Sequence, residues 1–328
     1  MSEHVNAPSP LTPAGRPVAV VTGASRGLGF LLARQLARRG HDVVICARSE
    51  AGLAVAAADL AQTGARVHAV VCDVSVKADV ERLIAEATAA FGRIDVLVNN
   101  AGLIQVGPMA TMTTEHFAAA LDVMLWGPIH ATLAALPMLR QSEKPVIVNI
   151  TSIGGKIPAP HLLPYTTAKF AAVGFSEGLR AELAKEGVSV TTAVPGLVRT
   201  GSPRNATFTG NRVAEHRWFT LADSIPVLSM DAERAAARIV TAALRGRPEV
   251  ILTPVAKVAV RLHGLAPGLT TRAASLVDRL LPRGSTGSEP VPGHALRLPP
   301  AWFRGLTTLT RRAARRYHQY DDPTDAAQ

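Results

Sequence analysis

The order of apolar runs in this 328-residue chain predicts an α/β fold, a doubly wound parallel sheet in a single domain with a basic helical extension at its C-terminus. Two observations carry that reading. Continuous β-branched runs, each long enough for one buried strand, alternate with helical patterns through about 250 residues. Strands that are apolar on both faces belong to parallel sheets with helices on each side. In addition, a glycine-rich turn stands directly after the first run, where such a sheet passes from its first strand to its first helix.

Residues 1–16 are polar and proline-rich, lack the apolar core of a signal peptide, and read as a disordered leader. The first strand is "VAVVT" (18–22), followed by the helix "GLGFLLARQLARRG". "DVVICA" (42–47) precedes an alanine-rich helix, "ARVHAVVCDV" (65–74) a helix ending at Phe91, and "IDVLVNN" (94–100) a helical region ending near Leu139. "VIVNIT" (146–151), a helix around 165–186, "VSVTTAV" (188–194), a helix at 231–245 and "EVIL" (249–252) complete the alternation. Right-handed crossovers then give the double winding. Residues 17–252 form this domain. Within it, residues 201–230 are too long for an ordinary connection, and with Phe208, Trp218, Phe219 and Leu221 they suit a cover over an apolar ligand. A plain surface insertion is the alternative.

A hydrophobic content of 48% with 18% charged residues fits a soluble, cytoplasmic protein, and the apolar stretches are strand-sized, well short of the ~18 residues of a membrane span. The two cysteines, Cys46 and Cys72, sit in or at the end of strand-like runs without metal-ligand spacing, so they read as buried thiols and no metal is expected. The net charge of +10 is uneven. From Val255 onward, 11 Lys and Arg face 5 acids, a surplus of 6, while the preceding residues carry 24 against 20. Basicity belongs to residues 253–328, which contain no nucleic-acid-binding module.

The turn "TGASRGLG" (22–29) supplies Gly23, Gly27 and Gly29 for close backbone approach, and the helix that follows offers free N–H groups to a pyrophosphate. Between strand and helix this is a strong dinucleotide signal, which makes the sheet Rossmann-type. At the end of the second strand, where an NAD site wants an acid, stand Ala47 and Arg48, and Arg26 lies in the glycine turn. Two guanidinium groups suit a 2′-phosphate, so NADP(H) is favoured over NAD(H). Solvated surface arginines are the alternative.

"NNAG" (99–102), "NITSIGG" (149–155) and "PGLVRT" (195–200) follow three later strands, where ligands bind in such sheets. Thirteen residues past Ser152 stands Tyr165, with Lys169 one helical turn further on the same face. In this order and spacing, residues 17–252 resemble the short-chain dehydrogenase/reductase family, in its branch of single-domain NADP-dependent oxidoreductases. The resemblance implies that Gly23, Ser25, Arg26, Gly27, Leu28 and Gly29, with Arg48, hold the pyrophosphate and 2′-phosphate. Asp73 and Val74 would contact adenine, and Asn100, Ala101 and Gly102 the ribose. Pro195, Gly196, Val198 and Thr200 would hold the nicotinamide carboxamide. Ser152, Tyr165 and Lys169 would be catalytic, with Tyr165 and Lys169 also touching the cofactor. Reducing a ketone builds negative charge on its oxygen, which the Ser152 and Tyr165 hydroxyls can stabilise. Tyr165 then delivers the proton, and Lys169, with the positive charge of an oxidised nicotinamide, is expected to lower the phenol pKa from its usual ~10.

One expected residue is absent. The family usually carries an asparagine in the helix after the fourth strand, supporting a water-linked proton relay; here "LDVMLWG" (121–127) has Met124. Met124 either fills a core gap while other groups order the water, or impairs the relay. The second reading gives the alternative function, a non-catalytic nucleotide-sensing or scaffold protein. For the enzyme, the partner is a small carbonyl or alcohol substrate, lipophilic if Ser152, Ile153, Leu162 and Trp218 line its site, with His161 available to a polar group. The family pairs helices like those at 112–139 and 165–186 between subunits, so a homo-oligomer is expected.

In the extension, Val258, Leu262, Leu265, Leu269, Leu276 and Leu280 recur at roughly helical intervals, and Gly264, Pro267 and Gly268 split them into two short amphipathic helices. Further on, Trp302 and Phe303 precede four arginines at 311–316. Such helices lie peripherally on anionic membranes or pack against their own or a neighbouring subunit.

Overall fold

A computed structural model describes residues 15–226, 228–284, 287–296 and 301–320. Most of the expected leader, residues 1–14, and the Trp302 side chain lie outside the described residues. The alternation runs β1 (Val18–Thr22), α1 (Gly27–Ala37), β2 (Asp42–Ala47), α2 (Glu50–Ala61), β3 (Val67–Val71), α3 (Lys77–Phe91) and β4 (Val96–Asn99). It continues through β5 (Gln105–Val106), α4 (Thr114–Leu121), α5 (Gly127–Leu139), β6 (Val146–Ile150), α6 (Leu163–Leu183) and β7 (Ser189–Val194). After β8 (Leu197–Arg199), β9 (Thr207–Phe208), α7 (Arg212–Ser224), β10 (Ser229–Asp231) and α8 (Ala232–Leu244), β11 (Glu249–Ile251) closes the domain.

The seven main strands are parallel in the order β11-β7-β6-β4-β1-β2-β3. The pleat explains why both faces are apolar. Ala19 and Val21 of β1 join a core with α1, α2 and α8, whereas Val18 and Val20 join a second core with α3, α5 and α6. Strand order reverses between β1 and β4, so the crevice for a ligand opens at their C-terminal ends. Cys46 and Cys72 are free, buried thiols, as expected.

One feature departs from the sequence reading and a second decides between its alternatives. First, α4, a five-residue π-helical turn (Asp122–Trp126) and α5 run on as one helix, Thr114–Leu139. It is long and apolar enough by composition to cross a membrane, where only strand-sized stretches were expected; here it packs against α3, β4 and α6. Second, the extension is partly built into the domain. Its helices α9 (Pro254–Leu265) and α10 (Pro267–Asp278) form an exposed hairpin, but the chain then returns. Strand β12 (Val291–Pro292) pairs antiparallel with β9, and after α11 (Ala301–Leu306), helix α12 (Thr308–Arg316) docks on the sheet domain. Ala313 and Tyr317 enter the α1 core, an apolar gain that the regular strand pattern of residues 17–252 did not announce.

Candidate active site

A cavity of about 900 Å³ opens along the C-terminal ends of the strands. At one end lies the glycine turn. Gly23 has φ +64°, and a Cβ there would stand 2.8 Å from the Ala101 Cα. At Gly29 a Cβ would fall 2.2 Å from the Gly23 carbonyl and 2.3 Å from Asn100 Nδ2. Asn100 braces the turn by donating to the Thr22 and Gly23 carbonyls at 3.0 and 3.1 Å. The Arg26 side chain does not cap the start of α1. A glycine-lined backbone cradle at a helix N-terminus is the environment a pyrophosphate requires.

Every expected cofactor residue lines this cavity, from the turn and Arg48 through Asp73, Val74, Asn100, Ala101 and Gly102 to Pro195, Gly196, Val198 and Thr200. The Asp73 carboxylate accepts from the Ser75 N–H and hydroxyl at 3.0 and 2.7 Å, fixing its loop. Arg48 is exposed at the rim, and Arg26 donates to Asn205 Oδ1 at 3.3 Å. Asn205 in turn donates to the backbone and side-chain oxygens of Gln319 at 3.1 and 2.7 Å. Gln319 is buried, lines the cavity, and holds its Nε2 against Gly27, whose N–H donates to the Tyr317 carbonyl at 2.8 Å. Sequence reasoning missed Asn205 and Gln319. Gln319 stands 292 positions after Gly27, and no local pattern signals that return.

At the other end, Ser152, Tyr165 and Lys169 share the cavity wall. Ser152 follows β6 and accepts the Gly154 N–H at 3.1 Å; α6 carries the other two on one face. Gly155 lets the serine turn lie on α6, since a Cβ there would meet the Lys169 carbonyl at 2.5 Å. Behind the site, Asn99 donates to Asn149 at 2.8 Å and Asn149 to Ser176 at 3.0 Å, tying β4, β6 and α6 together. Lys169 Nζ donates to the Ile150 carbonyl at 2.8 Å and lies 5.8 Å from the centre of the Tyr165 ring.

Burial pushes the Tyr165 phenol above its ordinary pKa, with the Ser152 hydroxyl acting the other way. Burial also penalises the ammonium, lowering Lys169 to about 8. Met124 sits in the π-helical turn, packed among Ala120, Ala168 and Tyr165, so it fills core beside the site.

Two expected substrate residues do not line the cavity. His161, held at φ +60°, is buried with Nδ1 2.8 Å from Glu215 Oε1. Trp218 donates to Glu215 Oε2 at 2.6 Å and packs on Phe219. The helical period of α7 explains the exchange, because it turns Phe219 and Asp223 toward the cavity instead; Ile153 and Leu162 do line it. Asp223 is buried, which pushes its carboxyl up to about 7, while the Thr310 hydroxyl donating at 3.2 Å and the more distant Arg199 pull it down.

The sequence model for short chain dehydrogenase matches residues 17–208. A 3-oxoacyl-[acyl-carrier-protein] reductase of Synechocystis is 35% identical over 189 residues, covering 57% of this chain and 76% of the relative. Among solved structures, a short-chain dehydrogenase/reductase of Burkholderia phymatum in complex with NAD aligns with TM-score 0.72 and 29% identity, covering 79% of this chain and 96% of that one. A variant actinorhodin polyketide ketoreductase with NADPH aligns at TM-score 0.65 and 29% identity, over 73% and 96% of the two chains.

Proposed function

The chain belongs to the short-chain dehydrogenase family and is an oxidoreductase on its nucleotide-binding fold; we propose that it uses NADP(H) to interconvert a lipophilic ketone or aldehyde and its alcohol. The observation that carries this reading is one continuous cavity with the glycine turn and two arginines at one end and Ser152, Tyr165 and Lys169 at the other.

When bound, the nicotinamide supplies or accepts the hydride. The chain supplies the rest. The Ser152 and Tyr165 hydroxyls hold the carbonyl oxygen and stabilise the charge that develops on it. In the reducing direction Tyr165 must give a proton, and a phenol kept neutral by burial holds that proton ready. Lys169, with a pKa near 8, can restore the proton and exchange its own near neutral pH. Met124 removes only the side-chain amide of one relay path.

Relatives bound to NAD and to NADPH are both similar to this chain, so local charge supports the cofactor choice. Arg26 and Arg48 suit a 2′-phosphate, and no acid stands at Ala47 to hold a 2′-hydroxyl. The amide Nε2 of Gln319 adds a donor at the phosphate turn. Ile153, Leu162 and Phe219 favour an apolar substrate body, and Asp223 offers one polar contact within it. Exposed Trp126, Leu133 and Phe170 on the long helix and α6 suit pairing with a second copy. The deciding experiment is NADPH-dependent turnover on a panel of lipophilic ketones. Tyr165→Phe should lower it at least ~100-fold while NADPH binding persists. An unmodified protein that binds NADPH and reduces none of the panel would overturn the catalytic reading.

A further inference from the structure

The α9–α10 hairpin is built to be seen from outside. Thr253 caps α9 by accepting the Ala256 N–H at 3.1 Å, and Ala256 is the buried residue that roots the pair. His263 Nδ1 and Thr270 Oγ1, 2.6 Å apart, staple the helices together, with only Ala266 between them. The apolar residues that should face a core do not. Leu265 and Leu280 are each 85% exposed and Leu269 69%, with Val258, Leu262 and Leu276 also exposed. By contrast, Leu31, Leu32 and Leu36 of α1 are buried. An apolar patch of this kind on a fixed element marks an interaction surface.

Charge identifies the occupant. Residues 254–283 carry five cations, Lys257, Arg261, Arg272, Arg279 and Arg283, all exposed. Their single acid, Asp278, is itself exposed and lies with Oδ1 3.5 Å from His161 Nε2, so cations outnumber acids five to one on this ridge. A second copy seated on this ridge would bring two cationic surfaces together. An anionic bilayer satisfies both halves at once, taking leucines into the acyl boundary and cations among its headgroups.

We propose that the α9–α10 hairpin docks the protein on anionic lipid surfaces. The Asp278–His161 contact sets the end of the hairpin beside Leu162, which lines the cavity, so docking would hold this wall of the cavity near the bilayer. The docking stands on the hairpin alone. Only the idea that substrate enters from lipid rests on the lipophilic-carbonyl reading.

The test is sedimentation of the full chain with vesicles of phosphatidylglycerol and phosphatidylcholine in equal parts, or of phosphatidylcholine alone. The protein should pellet with the anionic vesicles at low salt, and much less with the neutral ones or at high salt. Leu265→Ser, Leu269→Ser and Leu280→Ser combined should cut the bound fraction at least ~10-fold, because inserted apolar area contributes to binding alongside charge. Replacing Lys257, Arg261, Arg272 and Arg279 by glutamine should do the same. All these side chains are exposed, so melting temperature and NADPH binding should be unchanged. Full chain that stays in solution with anionic vesicles at low salt overturns the proposal, as does a triple-serine variant that still pellets. A hairpin-dependent dimer that ignores vesicles would assign the ridge to a second copy instead. Loss of NADPH binding in the unmodified protein would strike the nucleotide reading and leave the vesicle result standing.

Discussion

Lys169→Met removes an ammonium that α6 carries into a nearly dry wall, and the consequences for stability and for turnover should have opposite signs. Desolvation lowers the lysine from 10.5 to about 8. Holding it charged near pH 7 therefore costs ~3 kcal/mol. Its bond to the Ile150 carbonyl offsets part of that, and an orphaned carbonyl costs ~1 to 2 kcal/mol, so the nucleotide-free variant should gain ~1 to 2 kcal/mol net. Because the folded pKa lies below the unfolded one, the folded state binds fewer protons between pH 8 and 10.5. The unmodified protein therefore regains stability as pH rises through that window, and the variant's advantage shrinks across it. Thermal unfolding of both proteins without nucleotide, near pH 7 and near pH 10, measures the difference, and NADPH-dependent turnover measures the loss of function. A variant that melts below its parent near pH 7, or keeps an undiminished advantage near pH 10, would refute the assigned burial cost.

Ala47→Asp combined with Arg48→Leu should reverse a preference for NADPH over NADH in binding titrations; equal affinities in the unmodified protein would remove the basis for the 2′-phosphate assignment. Gln319→Ala should weaken NADPH binding several-fold, by about 1 kcal/mol for one donor, without changing the NADPH to NADH ratio if its amide serves the pyrophosphate. Met124→Asn should change turnover by less than ~10-fold. It should also lower the melting temperature, since Met124 is buried in an apolar cluster, and a rise from near-zero activity would mean that residue 124 had disabled the site.

The parallel sheet was legible because a strand buried on both faces leaves a continuous apolar run, and each of the seven runs, from "VAVVT" to "EVIL", became a strand. The two ends of the candidate site were legible for a related reason. Their residues sit at fixed offsets from strand ends, and the fold converts those offsets into position. Gly23 and Gly29 carry their own geometry, as the absent Cβ is what admits Ala101 and Asn100. Residues placed by the lid and by the returning chain were a different matter. Whether Trp218 or Phe219 faces the cavity depends on the roll of α7, which Glu215 fixes through His161 on another segment. Burial, too, belongs to the assembled wall: Tyr165 and Lys169 are spaced by the sequence, but their proton affinities come from the water the fold excludes.

The sequence by itself determined the alternation of strands and helices, the glycine cradle and the Ser152, Tyr165 and Lys169 spacing, because each depends on neighbours within a few residues or on one strand end. Only the tertiary structure decided that Gln319 and Tyr317 reach the glycine turn, that Asp223 lines the cavity, and that the α9–α10 leucines remain exposed. Those outcomes follow from long-range packing. Tyr317 and Ala313 gain the α1 core and pull the chain end back, whereas the hairpin between keeps its leucines exposed.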